Sequence, residues 1–432
     1  MGLFSSIGHK HLDGHKELTK HSEIISLLHG EYMPTKVYFP TMSGNGKPIT
    51  ALVNPGDQVK VGTKIAERTD FGVPVYSSVS GTVLANEMVF SPIIGRPIAH
   101  ITIENDGKYE QAEPLKTVKL SDSKEDIINA IKLAGLEGMG GAGFPTAVKY
   151  GNTQAEVILV NGVECEPYLT TDFVAMIQNA KELVLGCQYL MKAAGAKKAI
   201  VALKVHKEEA RDALRAAAAE YDNVEVVEVP DLYPMGWERT LVKQVLKKTY
   251  ERLPIEAGAV VNNAQTVISL GIALSTGRVV ANRLVTVSGD GINNPHNVLC
   301  PIGTKADLLI GACGGYVDGD INLIPGGPMC GKAVRDDKFV VGLPTGSLTV
   351  LRFVERTPEA CLRCGRCTQH CPSNLQPVEI KNAYDRKDFD RVGDLCILDC
   401  VECGMCSFIC PSKIELTDTM RKAKMMYKLK KK

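Results

Sequence analysis

Two matching cysteine runs near the C-terminus constrain this chain more than any other feature of its sequence. Residues 361–372 read CLRCGRCTQHCP and residues 400–411 read CVECGMCSFICP, so each follows the pattern C-x2-C-x2-C-x3-C-P. In this pattern the first three cysteines bind one [4Fe–4S] cluster, and the fourth binds the cluster of the other run. The runs therefore predict two clusters, one held by Cys361, Cys364, Cys367 and Cys410, the other by Cys400, Cys403, Cys406 and Cys371.

Two other uses of these cysteines are less favoured. A disulfide framework needs an oxidising compartment, and residues 1–21 lack the apolar central region of a secretion signal. Zinc sites typically use separated C-x2-C pairs rather than two matching runs of four. The chain has 14 cysteines, and those outside the runs have no pair-like spacing. Most are expected to be small buried residues, in keeping with a reducing cytosol.

The composition excludes several classes of protein. The chain has 432 residues, of which 44% are hydrophobic and 23% charged, as is typical of a globular chain with several domains. Its formal net charge of +1 provides no general basic field for nucleic acid. No apolar stretch approaches the ~20 residues that cross a bilayer. We therefore expect no nucleic-acid partner and no membrane-spanning helix.

The first 118 residues predict an arm followed by a β domain. Residues 1–36 are polar, and their four histidines between positions 9 and 21 either bind a metal or, as the spacing favours, belong to an extended arm that lies on another domain. Residues 37–118 alternate apolar and polar residues between turn signals such as NPGD at 54–57. This stretch resembles the barrel-sandwich module of biotinyl and lipoyl proteins. It has TDFG at 69–72 in place of a lysine, so we expect no covalently attached cofactor.

A glycine-rich run, residues 138–149, is the first candidate ligand site. It follows a helix whose start is marked by Ser123 and Asp126. The run satisfies G-x-G-x-x-G, but a dinucleotide fingerprint should follow a strand. It is either a tightly packed turn or a place where backbone N–H groups and a following helix N-terminus approach a phosphate or flat ring.

Two carboxylates mark a second candidate position. Glu164 and Glu166 follow the apolar strand at 157–160, and the carboxyl ends of strands are where α/β sheets bind ligands. Buried carboxylates are costly unless they have partners. The alternation of short strands and helices through residue 266 predicts one doubly wound α/β domain.

Four segments of this domain resemble the NADH-oxidising flavoprotein subunit of respiratory complex I. They are GMGGAGFPTAVK (138–149), NGVECEPYL (161–169), YPMGWE (233–238) and VNNAQT (261–266). Residues 37–427 as a whole resemble the RnfC subunits of Rnf electron-transport complexes. The resemblance implies that Glu166 and Glu238 hydrogen-bond NADH as catalytic residues. It also implies an FMN site formed by Gly138, Gly140, Gly141, Gly143, Lys149, Asn161, Glu164, Asn262, Asn263 and Thr266.

The remaining sequence completes a multidomain chain of α/β and β domains. Residues 284–352 resemble the soluble-ligand-binding β-grasp (SLBB) module of the same families. The basic residues 424–432 either form a frayed tail, as composition favours, or attach to anionic lipid or an acidic partner. The expected order is an N-terminal arm (1–36), a barrel-sandwich-like domain (37–118), a Rossmann-like FMN- and NADH-binding domain (119–283), the SLBB module (284–352) and a helical, ferredoxin-like domain with two [4Fe–4S] clusters (353–432).

These cofactors predict an electron-transfer enzyme. NADH gives two electrons as hydride, clusters accept one at a time, and a flavin does both, so the order NADH, FMN, cluster is chemically required. We expect a peripheral subunit of a membrane ion-translocating ferredoxin:NAD oxidoreductase at the cytoplasmic face of the bacterial membrane. Expected partners are other Rnf subunits, especially the ferredoxin-like iron–sulfur subunit, with ferredoxin reached indirectly. The alternatives are a soluble NADH-dependent reductase for a corrinoid enzyme or proline reductase, and a non-catalytic iron–sulfur carrier.

Overall fold

The described end of the N-terminal arm is a strand of a later domain. The computed structural model describes residues 24–151 and 153–431, so the four histidines of the arm lie outside the described residues. Strand β1 (Ile24–Ser26) pairs in parallel with Asn297–Leu299. Leu27 is buried in the core of that later domain. The prediction that the arm lies on another domain is confirmed for this part.

Two small antiparallel sheets form the first domain. Their strands are β2 (Lys36–Pro40), β3 (Ile49–Ala51), β4 (Gln58–Val59), β5 (Lys64–Arg68), β6 (Pro74–Tyr76), β7 (Gly81–Ser91) and β8 (Arg96–Asn105). One sheet has the order β2-β8-β7-β4 and the other the order β3-β5-β6. Val37, Ile65 and Ile103 are fully buried in a shared core, because alternate residues of each strand point inward.

A parallel sheet between helices forms the second domain. It contains α1 (Lys124–Leu133), β9 (Val157–Asn161), α2 (Thr171–Gln178), α3 (Ala180–Ala194), β10 (Lys198–Lys204), α4 (Glu208–Ala218), β11 (Val224–Val229), α5 (Glu238–Leu246), β12 (Ala259–Asn263) and α6 (Ala264–Thr276). The strand order is β11-β10-β9-β12, and all three pairings are parallel. Residues of β9 contribute to a large core with α3 and α6 and to a smaller core with α5. Apolar side chains therefore cover both faces of the sheet.

The strand order creates a crevice at one edge of this sheet. The chain runs from β9 to β10 and β11 on one side, and β12 then pairs with β9 on the other side. Such a reversal leaves an opening at the carboxyl ends of the strands, where α/β proteins bind ligands. Asn161 ends β9 and Asn263 ends β12, and the two residues are direct partners in the register. Both belong to segments predicted to contact a flavin.

A mixed sheet and a helical domain complete the chain. The sheet contains β13 (Asn282–Ser288), β14 (His296–Pro301), β15 (Ile321–Pro325) and β16 (Ser347–Arg352) in the order β1-β14-β13-β16-β15, with α7 (Ala306–Ala312) packed against it. The last domain contains α8 (Arg366–Gln369), α9 (Pro377–Asp385), α10 (Phe389–Asp394), α11 (Met405–Phe408) and α12 (Leu416–Lys430). Within residues 24–151 and 153–431, each helix is too short or too polar to span a membrane.

Three local expectations have clear outcomes. Ser123 caps α1, since its hydroxyl accepts a hydrogen bond from the Asp126 N–H, as predicted. The glycine-rich run leads into a single 3-10 turn, Thr146–Lys149, rather than an α-helix. The expectation of a frayed basic tail is wrong, because helix α12 continues to Lys430, where the Lys430 ammonium pairs with Asp390.

Candidate functional site

A cavity of about 510 Å³ lies at the carboxyl ends of β9 and β12, within the size range of small-molecule and cofactor sites. Its wall comes from every segment that the sequence singled out in this domain: the glycine run, residues 161–172, residues 233–237 and residues 263–265. Residues 325–331 and 344–347 of the mixed-sheet domain close another side. Three domains contribute to this central cavity, because Val401 and Cys403 of the helical domain also line it.

The structure divides the predicted cofactor residues into two groups. The residues that line the central cavity are Gly140, Gly141, Asn161, Glu164, Glu166 and Asn263. The residues that do not line it are Gly138, Gly143, Lys149, Glu238, Asn262 and Thr266. The second group lies outside the cavity, where most of its members contact the segments that form the wall.

Three of these supporting residues connect the glycine run and its neighbours to β12 and α6. The Thr266 hydroxyl accepts a hydrogen bond of 2.9 Å from the Met139 N–H. The Lys149 ammonium donates to the Val261 carbonyl at 2.8 Å, and burial lowers the pKa of Lys149. The Asn262 amide donates to the Tyr150 hydroxyl at 2.5 Å. These side chains support the wall rather than standing exposed in the cavity as ligands.

The other three supporting residues shape the ends of loops. The Gly138 N–H donates to the Phe144 carbonyl at 2.8 Å and so closes the glycine run on itself. Gly143 has a φ of +60°, and a Cβ there would lie 3.1 Å from Pro344. Glu238 begins α5, and its carboxylate accepts a hydrogen bond of 3.0 Å from the Tyr250 hydroxyl. A larger residue at position 143 would therefore strain the wall of the cavity.

Glu164 is a buried carboxyl at the N-terminus of α2. Its side chain is 3% exposed, and it accepts hydrogen bonds from the N–H groups of Asp172 (2.7 Å) and Phe173 (3.3 Å). The Lys207 ammonium is 4.0 Å away. Burial first, and then the charge of Asp172, raises the pKa of Glu164 to about 7. This carboxyl is therefore easier to protonate than an exposed glutamate.

A buried arginine, which sequence reasoning missed, joins three parts of the wall. Arg283 is 0% exposed and donates to the carbonyls of Met139 (2.9 Å) and Thr345 (3.0 Å) and to the Gln265 side chain. Asp172, whose pKa burial raises, accepts from Gln265 and from Asn263, each at 2.7 Å. Burial lowers the pKa of Arg283 to about 10. An arginine in the strand NRLVTV, next to Leu284 and Val285, was the available signal, since arginine is rarely buried without partners.

Glu166 ties the mixed-sheet domain to the cavity. Its carboxylate accepts hydrogen bonds from the backbone N–H groups of Met329 (3.0 Å) and Cys330 (2.7 Å). Burial raises its pKa, and these two donors act in the opposite direction. A Cβ at Gly327 would lie 2.3 Å from the Glu166 carboxylate, so the loop 327–330 can approach this closely only with glycine there.

The glycine run fits a flat ligand. Gly140 and Gly141 both line the cavity. Gly141 has a φ of +103°, and a Cβ added there would meet nothing within 4 Å, so it would project into open space that a ligand can use. Glycine is needed for both reasons, since it tolerates this backbone and leaves the approach free. The residues present therefore suit a flavin.

The predicted cluster ligands form two separate cages. Four of them line one groove and are named here the outer cage: Cys361, Cys364, Cys367 and Cys410. The others line a small cavity and are named the inner cage: Cys371, Cys400, Cys403 and Cys406. Each cage combines three cysteines of one run with the fourth cysteine of the other, as the spacing predicted. Among the described residues, no His, Cys, Asp and Glu side chains converge tightly enough for a single metal ion, whereas each cage surrounds a space.

The backbone of both runs suits an iron–sulfur cluster. Arg363 and Glu402 have positive φ at equivalent positions of the two runs, and each is followed two residues later by a glycine of positive φ. This repeated left-handed turn aims N–H groups inward: the Arg363 N–H donates to the Cys361 sulfur at 3.4 Å. Burial raises the pKa of Cys403, and the nearby thiols of Cys406, Cys371 and Cys400 raise it further. A raised pKa means that it costs free energy to ionise these buried thiols. Bound iron would offset that cost, because a coordinated thiol is deprotonated.

Packed side chains fill the space between the central cavity and the inner cage. The Tyr233 hydroxyl donates to the Cys403 carbonyl at 2.6 Å and lies 3.3 Å from the Cys330 sulfur. Tyr233, Met329 and Met405 form a small buried cluster that also touches Cys403. Since Cys403 lines both the cavity and the inner cage, the two candidate cofactor sites share a wall.

Four protein-family models match the chain in the order of its domains. They are the RnfC barrel sandwich hybrid domain (residues 5–108), the Nuo51 FMN-binding domain (131–271), the SLBB domain (284–333) and the 4Fe-4S dicluster domain (353–411). These matches confirm the predicted kinds of domain and support FMN and iron–sulfur clusters as cofactors. Among solved structures, an NAD⁺-reducing [NiFe]-hydrogenase in the H2-reduced state matches with a TM-score of 0.48 and 22% identity, over 70% of this chain and 61% of that chain.

Curated relatives match over most of the chain. The C subunit of the proton-translocating ferredoxin:NAD⁺ oxidoreductase complex of Clostridium ljungdahlii is 35% identical, over 80% of this chain and 78% of the relative. The C subunit of the Na⁺-translocating complex of Acetobacterium woodii is 34% identical over 83% of each chain. The C subunit of the ion-translocating oxidoreductase complex of Rhodobacter capsulatus is 35% identical, over 87% of this chain and 74% of the relative. The chain belongs to the RnfC family, the C subunits of Rnf ion-translocating oxidoreductase complexes.

Proposed function

We propose that this chain is the peripheral NADH-oxidising and NAD-reducing subunit of an Rnf complex, in which electrons pass between NADH, FMN and two [4Fe–4S] clusters. The observation that carries the proposal is the shared wall at Cys403, which lines both the central cavity and the inner cage. FMN supplies the conversion between two-electron and one-electron transfer, and the clusters supply one-electron carriers. The chain contributes the binding, the orientation and the packing between these sites.

The glycine run and the ends of β9 and β12 would hold the FMN. Gly140 and Gly141 leave the backbone open to the ring or the phosphate, while Asn161 and Asn263 offer side chains at the cavity wall. Gly138, Gly143, Lys149, Asn262 and Thr266 would act indirectly, by positioning these loops.

Glu164 would hold a proton at the cavity wall. Reduction of a flavin by hydride also takes up a proton, and a group with a pKa near the working pH is best suited to exchange it. Burial gives Glu164 a pKa of about 7, and Lys207, which is partly exposed, lies 4.0 Å behind it. We propose that this pair connects the cavity to solvent protons.

Glu166 and Glu238 remain the proposed NADH contacts. Glu166 lines the central cavity, but its carboxylate already accepts two backbone N–H groups. Glu238 accepts the Tyr250 hydroxyl. A carboxylate has about four acceptor sites, so Glu166 could accept a further hydrogen bond from a nicotinamide or ribose in the cavity, and Glu238 could accept one from a part of NADH that lies outside it. In this proposal Glu166 has two roles, as a contact to NADH and as the anchor of residues 327–330.

The proposed setting is the cytoplasmic face of a bacterial membrane. The relatives are named as subunits of complexes that translocate ions, which supports attachment to other Rnf subunits. We propose that the ferredoxin-like iron–sulfur subunit accepts electrons from this chain and that ferredoxin is reached through it.

Cofactor content and NADH binding test the proposal. The chain purified without oxygen should contain about eight iron atoms, since two [4Fe–4S] clusters are expected, and one FMN. NADH should bind to the flavin-loaded chain and not to the flavin-free chain. Iron without flavin, together with no NADH binding after FMN is added, would favour a non-catalytic iron–sulfur carrier.

A further inference from the structure

The two cysteine cages differ in their access to solvent. Cys361 and Cys364 of the outer cage are exposed, and the groove that this cage lines has a volume of about 750 Å³. None of the inner-cage cysteines is exposed, and their cavity has a volume of about 20 Å³. The inner cage shares Cys403 with the central cavity, whereas no outer-cage cysteine lines it. The outer cage is therefore the more accessible of the two to a second protein, although the inner-cage Cys400 also lines an open groove.

Unpaired arginines surround the outer cage. Arg363 and Arg386 line its groove, Arg366 lies in the same cysteine run, and all three are exposed. Within residues 24–151 and 153–431, none of the three forms an ion pair, and Glu379 is the acidic residue that lines the groove. The rim therefore carries an excess of positive charge.

The basic residues near the inner cage are different. Arg421 and Lys424 both pair with Glu402, at 3.5 and 3.2 Å, and Lys424 also donates to the Cys400 carbonyl at 2.6 Å. Both therefore have an acidic partner within the chain, unlike the three arginines near the outer cage. The outer-cage run also carries an exposed apolar residue, since the Leu362 side chain is 68% exposed.

We propose that Leu362, Arg363, Arg366 and Arg386, named here the arginine rim, dock a small one-electron carrier protein whose redox centre is surrounded by acidic residues. The inference rests on the proposed function, since it assigns the outer cage as the place where electrons leave or enter the chain. Complementary charge guides the encounter and sets its orientation. Leu362 would supply an apolar contact at the centre of the charged rim, as in other protein interfaces.

Binding is the first readout, because it does not depend on NADH. The probe is a bacterial two-cluster ferredoxin of net negative charge, which stands in for the ferredoxin-like iron–sulfur subunit, and it is titrated calorimetrically into the anaerobically reconstituted full chain. The double variant Arg363→Glu/Arg386→Glu should weaken its affinity about tenfold or more at low salt, and the difference should shrink at about 0.5 M salt, where surface charges are screened. Leu362→Ser should weaken binding at both salt concentrations, since an apolar contact is not screened.

Two variants serve as controls. Arg363→Lys keeps the charge and should retain binding, and Arg391→Glu reverses an exposed charge that lines neither cage and should have little effect. Iron content and cluster absorbance of each variant establish that it is folded and loaded. Equal weakening by Arg391→Glu, or no change in the double variant, would overturn the proposal. The same holds if the rim binds anionic lipid vesicles and not the ferredoxin.

Electron transfer is the second readout and separates this inference from the proposed function. The chain is reduced with dithionite, excess reductant is removed, and oxidised ferredoxin is mixed in. The double variant should slow ferredoxin reduction about tenfold at low salt, in parallel with its affinity. If NADH failed to reduce the chain while this rate still depended on the rim, the proposed function would be wrong and the docking surface would stand. If NADH reduced the chain while the rate of ferredoxin reduction did not depend on the arginine rim, the docking surface would be rejected and the proposed function would stand.

Discussion

Glu166→Gln tests whether one carboxylate anchors residues 327–330 to the wall of the central cavity. In the wild type the Glu166 carboxylate accepts the N–H groups of both Met329 and Cys330. The amide of glutamine keeps one acceptor oxygen and places an NH2 group against the other N–H. The variant therefore loses one hydrogen bond and the charge that strengthens the other, and it keeps the shape of the side chain.

The expected effect follows from the strength of that bond. A hydrogen bond to a charged group contributes about 1.5–3 kcal/mol, and each 1.4 kcal/mol is a factor of ten in an equilibrium constant. Local opening of the loop should become about tenfold to a hundredfold more frequent. Amide hydrogen exchange reports such opening directly, so the N–H groups of Met329 and Cys330 should exchange faster by that factor.

The assay is hydrogen–deuterium exchange of the flavin-loaded chain with and without NADH. Glu164→Gln is the matched control, because Glu164 lines the same cavity but its hydrogen bonds run to residues 171–173. It should leave exchange at the two loop amides unchanged. If Glu166→Gln weakened NADH binding while those amides exchanged at the wild-type rate, Glu166 would act on NADH alone and the anchoring role would be refuted.

Three further predictions concern the cavity and the cages. Burial raises the pKa of Glu164 from 4.5 to about 7. The contribution of its carboxyl to the free energy of unfolding should therefore be fully present below pH 4.5 and lost as the pH rises to about 7. Glu164→Gln should flatten this pH dependence in thermal unfolding midpoints measured between these two pH values. Gly140→Val should abolish flavin content, because a Cβ at Gly140 already lies 3.1 Å from the Asn263 Cβ and the rest of the side chain needs cavity space. Gly138→Ala, outside the cavity, should keep the flavin in the purified protein. Cys371→Ser should damage the inner-cage cluster, and electron paramagnetic resonance that showed only the outer-cage signal altered would reject the exchange of fourth ligands.

Periodic segments of the fold could be predicted from the sequence. The strand Val157–Asn161 covers the predicted residues 157–160, because a short apolar run bounded by polar residues indicates a buried strand locally. Helix α2 was missed, since six of its eight residues are buried and such a segment has no polar face to reveal its period. Helix α12 was mistaken for a tail at its basic end. Its last turns depend on contacts that are distant in sequence, such as the Tyr427 ring against Gly393.

The site was predictable as a set of segments rather than residue by residue. Asn262 and Asn263 are adjacent, but only Asn263 lines the cavity. Successive residues of a strand point to opposite faces, and Asn262 faces Tyr150 instead. Arg283 was missed because its partners, Met139, Gln265 and Thr345, come from three segments. No pattern of neighbouring residues in the sequence indicates that these three segments meet in the fold.

The most direct test of the account is an anaerobic NADH titration of the reconstituted chain, followed at the absorbance of flavin and of iron–sulfur clusters. We predict that NADH bleaches the flavin and then the clusters in the wild type. In Gly140→Val, which should retain the clusters and lack the flavin, NADH should bleach neither, although dithionite still reduces the clusters. Cluster bleaching by NADH in the flavin-free variant, or no response in a flavin-loaded wild type, would contradict the claim that the central cavity feeds the inner cage.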